Sequence, residues 1–325
     1  MEIERSIQPI LLEASELASL ASKAFPAGSH FERWELLNGG AQNTHYKFVM
    51  NEQAFVLRLY ARERELCKME QALHALVEKT VPTAKLIYAD ANHHPWAYAI
   101  FTFVDGIPLY RVNKEFKAPL SYELGKALAC IHSFRFPQAG FFEEELKIGH
   151  IFEEGSSPYF EESVRVLSYA GQAREQLGEK LSDDILSFMR HNQSSFPIVR
   201  GNSCLTHADF KPVNLFYGAN GKIIVLDWEF AHAGIGILDF AILLRHRHQF
   251  PLDLQALKEG YTQNGGVLPN DWLRLALITD FVNMLTMMDS PPGHPKLFRE
   301  LRTSFEMTMR HWDCLDHLFL GHDVN

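Results

Sequence analysis

The densest run of groups able to do chemistry is His207-Ala208-Asp209-Phe210-Lys211-Pro212-Val213-Asn214, with Asp227 following at the end of Ile223-Ile224-Val225-Leu226. Phosphoryl transfer asks a protein mainly for positioning and charge neutralisation. It needs a carboxylate beside the acceptor hydroxyl and oxygen ligands for divalent cations that bridge the phosphates. Asp209 meets the first need, and Asn214 and Asp227 meet the second as ligands for Mg²⁺. The plain alternative is a turn in which Asp and Asn only bond their own backbone. That alternative explains an isolated His-x-Asp, but not one with Asn214 and Asp227 both in register.

The spacing His-x-Asp-x-x-x-x-Asn followed by an Asp at a strand end matches the catalytic loop and metal-binding Asp of kinases. Such a site also needs a cation on a strand to hold the phosphates and a helix carboxylate to orient it. In Phe55-Val56-Leu57-Arg58-Leu59-Tyr60 the alternation puts Val56 and Arg58 on one face. Val56 would then cover an adenine while Arg58 reaches the phosphates; otherwise Arg58 is a surface charge at a strand edge. Glu70 shares a helical stripe with Leu66, Leu73 and Val77, facing inward where an unpaired carboxylate is costly. Glu63, on the same stripe, competes for that role, and a solvated helix face is the alternative for Glu70.

The elements that must position these groups change character about a third of the way along. A helix over roughly Ile10–Ala24 leads into strands at Phe31–Leu37, Tyr46–Met50 and Phe55–Tyr60, with a Gly-containing turn between the first two. Helical spacing over Arg62–Lys79 precedes strand-like Lys85–Ala89 and Tyr98–Val104. After Asp105-Gly106 the chain is mostly helical, beginning with the stripe Leu120, Leu124, Leu128 and Ile131. Two short strands, Leu215–Tyr217 and Ile223–Leu226, interrupt the helices beside the polar loop. The expected architecture is α+β in two lobes, a small antiparallel sheet over residues 1–104 that binds nucleotide and a mostly helical lobe over 105–325 that carries the catalytic loop and acceptor site.

On these residues the chain resembles the aminoglycoside phosphotransferase and choline kinase-like family, whose fold is a two-lobed relative of the protein kinases. The resemblance runs through Gly39-Gly40-x-x-Asn43-x-x-Tyr46, Val56-Leu57-Arg58, Glu70 with Val81-Pro82, and Val104-Asp105-Gly106-x-Pro108-Leu109. It continues through Leu124-Gly125-x-x-Leu128-Ala129-x-Ile131-His132-Ser133, Thr206-His207-x-Asp209, Asn214, Leu226-Asp227-Trp228-Glu229 and Asp239-Phe240-Ala241. It implies that Asp209 is the catalytic base and that Asn214 and Asp227 bind Mg²⁺. It also implies that Gly40 and Asn43 belong to the nucleotide site, that the backbone near Thr102–Val104 takes the base of ATP or GTP, and that His207 and Asp239 support the loop. Arg58 stands where many relatives have Lys; its fork still suits phosphate oxygens. Lys211, at a position where Ser/Thr protein kinases carry Lys, is either a γ-phosphate contact or the partner of a neighbouring carboxylate.

Other chemistries lose ground. There is no Gly-Lys-Ser/Thr and no Gly-x-Gly-x-x-Gly, the marks of P-loop and dinucleotide folds. Gly234-Ile235-Gly236 reads as a turn, and His246-Arg247-His248 as solvated helix surface, since neighbours on a helix diverge by about 100°. A protein kinase is the runner-up, but Trp228–Leu238 holds no Ser, Thr or Tyr to phosphorylate. A catalytically silent nucleotide-binding protein is the third reading, against which every expected group is present.

The 31 Lys+Arg and 40 Asp+Glu leave a net charge of −9, which disfavours nucleic acid and anionic membrane surfaces as partners. No apolar stretch reaches membrane-spanning length without a charge; Asp271–Met288 comes nearest, and Arg274 and Asp280 interrupt it. Four scattered cysteines and acidic residues near Met1 point to a cytoplasmic protein. Most of the negative charge falls between Glu143 and Glu162, where seven Glu accompany one Lys. That segment either draws in a cationic small-molecule acceptor or is a set of solvated helix starts.

Overall fold

Strands with alternating apolar residues need cover, and here the first helix provides it on one face and the second helix on the other. The computed structural model describes residues 7–37, 42–61, 64–155, 157–167, 171–196, 203–290 and 293–315. Helix α1 (Ala14–Ser22) is followed by β1 (Phe31–Leu36), β2 (Thr44–Met50), β3 (Gln53–Tyr60), α2 (Glu65–Val77), β4 (Leu86–Asp90) and β5 (Ala97–Thr102). The strands form one antiparallel sheet in the order β1-β2-β3-β5-β4. Phe48, Phe55, Leu57, Leu59 and Ile100 pack with Leu17, Leu20 and Ala21 of α1. The buried Tyr46 hydroxyl accepts from Leu12 N–H and donates to the Ile10 carbonyl, both at 2.9 Å, so its polar end is satisfied. The opposite face of β3 places Tyr60 with Cys67 of α2 and with Ala97, Ala99 and Phe101 of β5. By the two-residue period of a strand, Val56 and Arg58 share that second face. Helix α2 turns Cys67, Glu70, Leu73, His74 and Val77 inward.

This first compact unit comprises Met1–Gly106 together with Phe142–Gly149 and Gly218–Glu229. Asp227 and Glu229 therefore travel with the sheet, although the sequence places them far beyond Val104. The reason is a set of bonds to Pro82 and Thr83, between α2 and β4. Val225 N–H donates to the Pro82 carbonyl (2.9 Å), Thr83 Oγ1 donates to the Val225 carbonyl (2.7 Å), and the buried Trp228 indole donates to Thr83 Oγ1 (3.2 Å).

The chain continues through β6 (Gly106–Pro108), α3 (Lys117–His132), β7 (Arg135–Phe136), β8 (Gly140–Phe142), β9 (Ile148–Ile151) and α4 (Ser157–Val166). Then follow α5 (Gln172–Leu177), α6 (Glu179–His191), β10 (Ser203–Thr206), β11 (Leu215–Gly218), β12 (Ile223–Val225) and β13 (His232–Gly234). Helices α7 (Ile237–Arg245), α8 (Leu254–Gln263), α9 (Trp272–Met288) and α10 (Pro295–Arg310) complete it. The second unit comprises Ile107–Phe141, His150–Tyr217 and Phe230–Asn325. Within it β10 pairs antiparallel with β13, matching Thr206 with His232, and with β7, matching Cys204 with Arg135.

Two glycines let helices α3 and α8 approach closely. A Cβ on Gly125 would stand 2.1 Å from the Leu257 carbonyl oxygen, and one on Gly260 would stand 2.0 Å from that of Tyr122. Elsewhere in this unit Ile185, Met189, Phe281, Leu285 and Phe305 form an apolar core among α6, α9 and α10. Asp280, inside α9, is buried and accepts from Arg245 at 2.6 to 3.1 Å. Among the described residues no helix is long and apolar enough to cross a membrane. After α7 the segment Arg247–Gln249 forms a 3₁₀ turn on which His248 is exposed, as expected of helix surface, whereas His246 is half-buried with Nδ1 3.1 Å from Gln249 Nε2.

Candidate active site

In the first unit the site is built around Arg58, which is 5% exposed. Nη1 lies 3.0 Å from Asp227 Oδ1 and 3.1 Å from Glu70 Oε1, and Nη2 lies 2.5 Å from Glu229 Oε2. The Glu70 contact is an ion pair without an aligned hydrogen bond; its other oxygen takes the Tyr60 hydroxyl at 2.5 Å. Burial works against the Arg58 charge. Glu70 and Asp227, with Tyr60 and Glu229, outweigh that cost and hold the guanidinium above its ordinary range. Burial also raises Glu70, against the pull of Arg58 and Tyr60. Arg58 Nε is a buried donor with no partner among the described residues.

Oxygens of Glu70, Asp227 and Glu229 lie within 4.8 Å of one another, the grouping expected of a cation site. The Arg58 guanidinium touches all three and already supplies positive charge there. Asn43 Nδ2 donates to Glu229 Oε2 at 2.7 Å, which ties the entry to β2 to the same cluster. Asp227 itself has φ +67°, a left-handed backbone that a non-Gly residue rarely adopts.

The remaining expected nucleotide-site residues of this unit lie on the sheet and its exit. Val56 is half-buried on β3, paired across the sheet with Lys47 and Phe101. Thr102 closes β5, its hydroxyl accepting from Lys85 N–H at 2.9 Å. Val104 packs on the cluster that contains Tyr60 and Phe101. Gly40 and the competitor Glu63 lie outside the described residues. Glu229 and Tyr60 were not among the residues singled out for the site. The usable signal for Glu229 was its place two residues after Asp227.

In the second unit Asp209, Lys211 and Asn214 converge. A short turn at Pro212–Asn214, closed by Asn214 N–H on the Lys211 carbonyl (2.9 Å), folds Asn214 back onto Asp209. Asn214 Nδ2 donates to Asp209 Oδ2 at 2.7 Å and to its carbonyl at 3.1 Å. The donor end of the amide is thus engaged, and the carbonyl end is the atom type a hard cation takes. Lys211 Nζ lies 2.8 Å from Asp209 Oδ1. Just before Asp209, Ala208 has φ +59°. Asp239 holds that bend: Oδ2 accepts from His207 N–H at 2.9 Å and Oδ1 from Ala208 N–H at 2.7 Å. His132 Nε2, 3.1 Å from Asp239 Oδ2, braces the carboxylate from behind. Burial opposes the Asp239 charge, but His132, His207 and the amides hold its carboxyl below the usual range.

A model of the phosphotransferase enzyme family matches residues 33–278 of the chain. The protein belongs to this family. Solved structures agree on the fold. The aminoglycoside phosphotransferase APH(4)-Ia superposes with a TM-score of 0.69 at 14% identity, covering 92% of this chain and 99% of that one. The macrolide 2'-phosphotransferase MphH from Brachybacterium faecium gives 0.64 at 14% identity, covering 90% and 97%. A thermostable mutant of APH(4)-Ia in ternary complex with ADP and hygromycin B gives 0.64 at 14% identity, covering 86% and 94%. These phosphotransferases share the kinase-like fold, an antiparallel sheet region followed by a helical part, that the sequence led us to expect. None of the curated proteins matches the chain.

The acidic segment is divided by its local partners. Glu144 accepts from Lys68 at 2.7 Å, Glu145 lies 3.1 Å from Lys147, and Glu162 pairs with Arg165 at 2.7 Å. Glu153 and Glu154 are exposed in the loop before α4. Glu144 and Glu145 open a short 3₁₀ turn, whereas Glu161 and Glu162 lie inside α4 rather than at its start.

Proposed function

We propose that this phosphotransferase moves the γ-phosphate of ATP or GTP to a hydroxyl of a small molecule, with Mg²⁺ as cofactor. The observation that carries the reading is the Asp209–Asn214 bond on a loop held by Asp239, in a chain of this family. In this reading Asp209 accepts the hydrogen bond of the acceptor hydroxyl, orients it and takes its proton. Asn214 and Asp227 would be the ligands of Mg²⁺, each offering an oxygen, the donor type the ion prefers. When bound, the ion neutralises charge on the phosphates.

Arg58 binds phosphate oxygens, and its unpartnered Nε is a donor such an oxygen would satisfy. Glu70 and Glu229 keep its fork oriented. Lys211 reaches a γ-phosphate by exchanging its contact with Asp209. Gly40, Asn43 and Val56 belong to the nucleotide site. Thr102 and Phe103 have spent their N–H groups on the carbonyls of Lys85 and Ala54, so the base is read from Val104.

A phosphotransferase of the same fold takes hygromycin B together with ADP, which supports an acceptor of the amino-sugar or amino-alcohol kind. We assign the exposed Glu153 and Glu154 of the acidic segment to a cationic acceptor. The test is Mg²⁺-dependent nucleotide consumption against a panel of amino sugars, amino alcohols and neutral sugars. Saturable turnover with one class supports the reading. Consumption that no acceptor stimulates would remove it.

A further inference from the structure

A cavity of about 240 Å³ opens in the second unit among the end of α3, β7, β10, the start of α7 and the segment joining α8 to α9. Its lining is mixed: Ile237, Phe240, Leu268 and Leu275 supply apolar surface beside the polar groups of His132, Tyr261 and Arg135. Arg135 is exposed, and among the described residues its guanidinium has neither a carboxylate partner nor a hydrogen bond. Arg135 thus leaves its guanidinium available beside the apolar side chains of the cavity. The fork of an Arg matches a carboxylate, and Ile237, Phe240, Leu268 and Leu275 match a small hydrocarbon or aromatic body. The volume, below the range of about 300–1,000 Å³ typical of drug-sized pockets, limits that body to a fragment.

The cavity is also wired to the loop that carries Asp209. Tyr261, in its lining, has its hydroxyl 3.0 Å from His132 Nδ1, and the other nitrogen of that ring reaches Asp239. Asp239 in turn holds the amides of His207 and Ala208. Gly236 makes this approach possible, since a Cβ there would stand 2.6 Å from His132 Nδ1.

We infer that this cavity is a binding site for a small organic monocarboxylate, anchored by Arg135, and that occupancy stiffens the His207–Ala208 bend through Tyr261, His132 and Asp239. The site is distinct from the one proposed for phosphoryl transfer and does not depend on that reading.

The experiment titrates the full chain with sodium benzoate and sodium hexanoate, following binding by calorimetry and backbone amide exchange by mass spectrometry. Saturable one-to-one binding of at least one of them is expected. Losing a charge-assisted contact should weaken it about tenfold or more in Arg135→Ala. Val267→Trp, at a lining position that is 86% exposed and so tolerant of change, should block the mouth and weaken it likewise. Exchange at His207 and Ala208 should slow several-fold in the liganded wild type and not in Arg135→Ala. No saturable binding, or binding unchanged in both variants, overturns the site. Binding without slower exchange at those amides overturns the coupling.

Discussion

Arg58 Nη1 lies 3.0 Å from Asp227 Oδ1 although 169 positions separate the two residues in the chain. The contact joins the expected phosphate-binding cation to the expected metal-binding carboxylate inside one compact unit, with Glu70 and Glu229 completing the cluster. Arg58→Ala would leave the buried Glu70 and the half-buried Asp227 and Glu229 without their counter-charge. Removing one partner of a buried pair costs about 3–5 kcal/mol, so the urea midpoint should fall sharply. Arg58→Lys keeps the charge but not the fork and should lose less. Glu229→Gln relaxes one restraint on the guanidinium, and we expect a several-fold rise in nucleotide KM with a smaller change in kcat.

The bend before Asp209 depends on a carboxylate that only accepts. Asp239 receives His207 N–H and His132 on one oxygen and Ala208 N–H on the other. In Asp239→Asn an amide NH₂ must face at least one of these donors. A buried donor left unpaired costs about 1–3 kcal/mol, and the variant should show that loss in denaturant unfolding together with a fall in kcat. A variant as stable and active as the wild type would mean that the bend is held otherwise.

The α3–α8 crossing is set by two glycines, each against a carbonyl of the other helix. Gly125→Ala puts a methyl where backbone already stands, and the helices can respond only by separating. Overpacking of this kind typically costs 1–3 kcal/mol, and because the obstacle is backbone we expect about 3 kcal/mol, measured as a shift in urea midpoint at unchanged m-value.

His74 gives the stability a pH dependence. It is buried against Phe101, its ring centroid 5.0 Å away, and burial with the nearby Arg58 charge lowers its pKa to about 4. The unfolded chain binds this proton near the ordinary His value and the folded chain does not. The unfolded state therefore holds more protons between about pH 6.5 and 4, and stability falls as pH falls through that window. The full span amounts to about 3 kcal/mol. His74→Phe should flatten that part of the profile relative to wild type; an identical slope would show that His74 does not carry it.

Much of this arrangement is legible in the residues because it is local or periodic. The alternation along Phe55–Tyr60 places Arg58 on the α2 side of the sheet, the stripe on α2 turns Glu70 inward, and the spacing from Asp209 to Asn214 is closed by one turn. What stayed hidden is set by partners distant in the chain. Glu229 stands in the motif after Asp227, but its role is not visible there because Arg58 and Asn43 lie 171 and 186 positions before it. The charge total between Glu143 and Glu162 leaves out Lys68, which reaches Glu144 from 76 positions away. Gly234-Ile235-Gly236 reads as a plain turn, yet Gly234 ends a strand and Gly236 makes room for His132.

The central claim is that Asp209 drives phosphoryl transfer to a hydroxyl. Its most direct test compares wild type and Asp209→Asn in Mg²⁺-dependent phosphate transfer to the acceptor class found by the panel, with nucleotide binding followed by thermal shift. The account predicts that the variant folds, binds nucleotide with a near-normal shift, and loses transfer by about 10²-fold or more. Near-wild-type turnover in Asp209→Asn would contradict it.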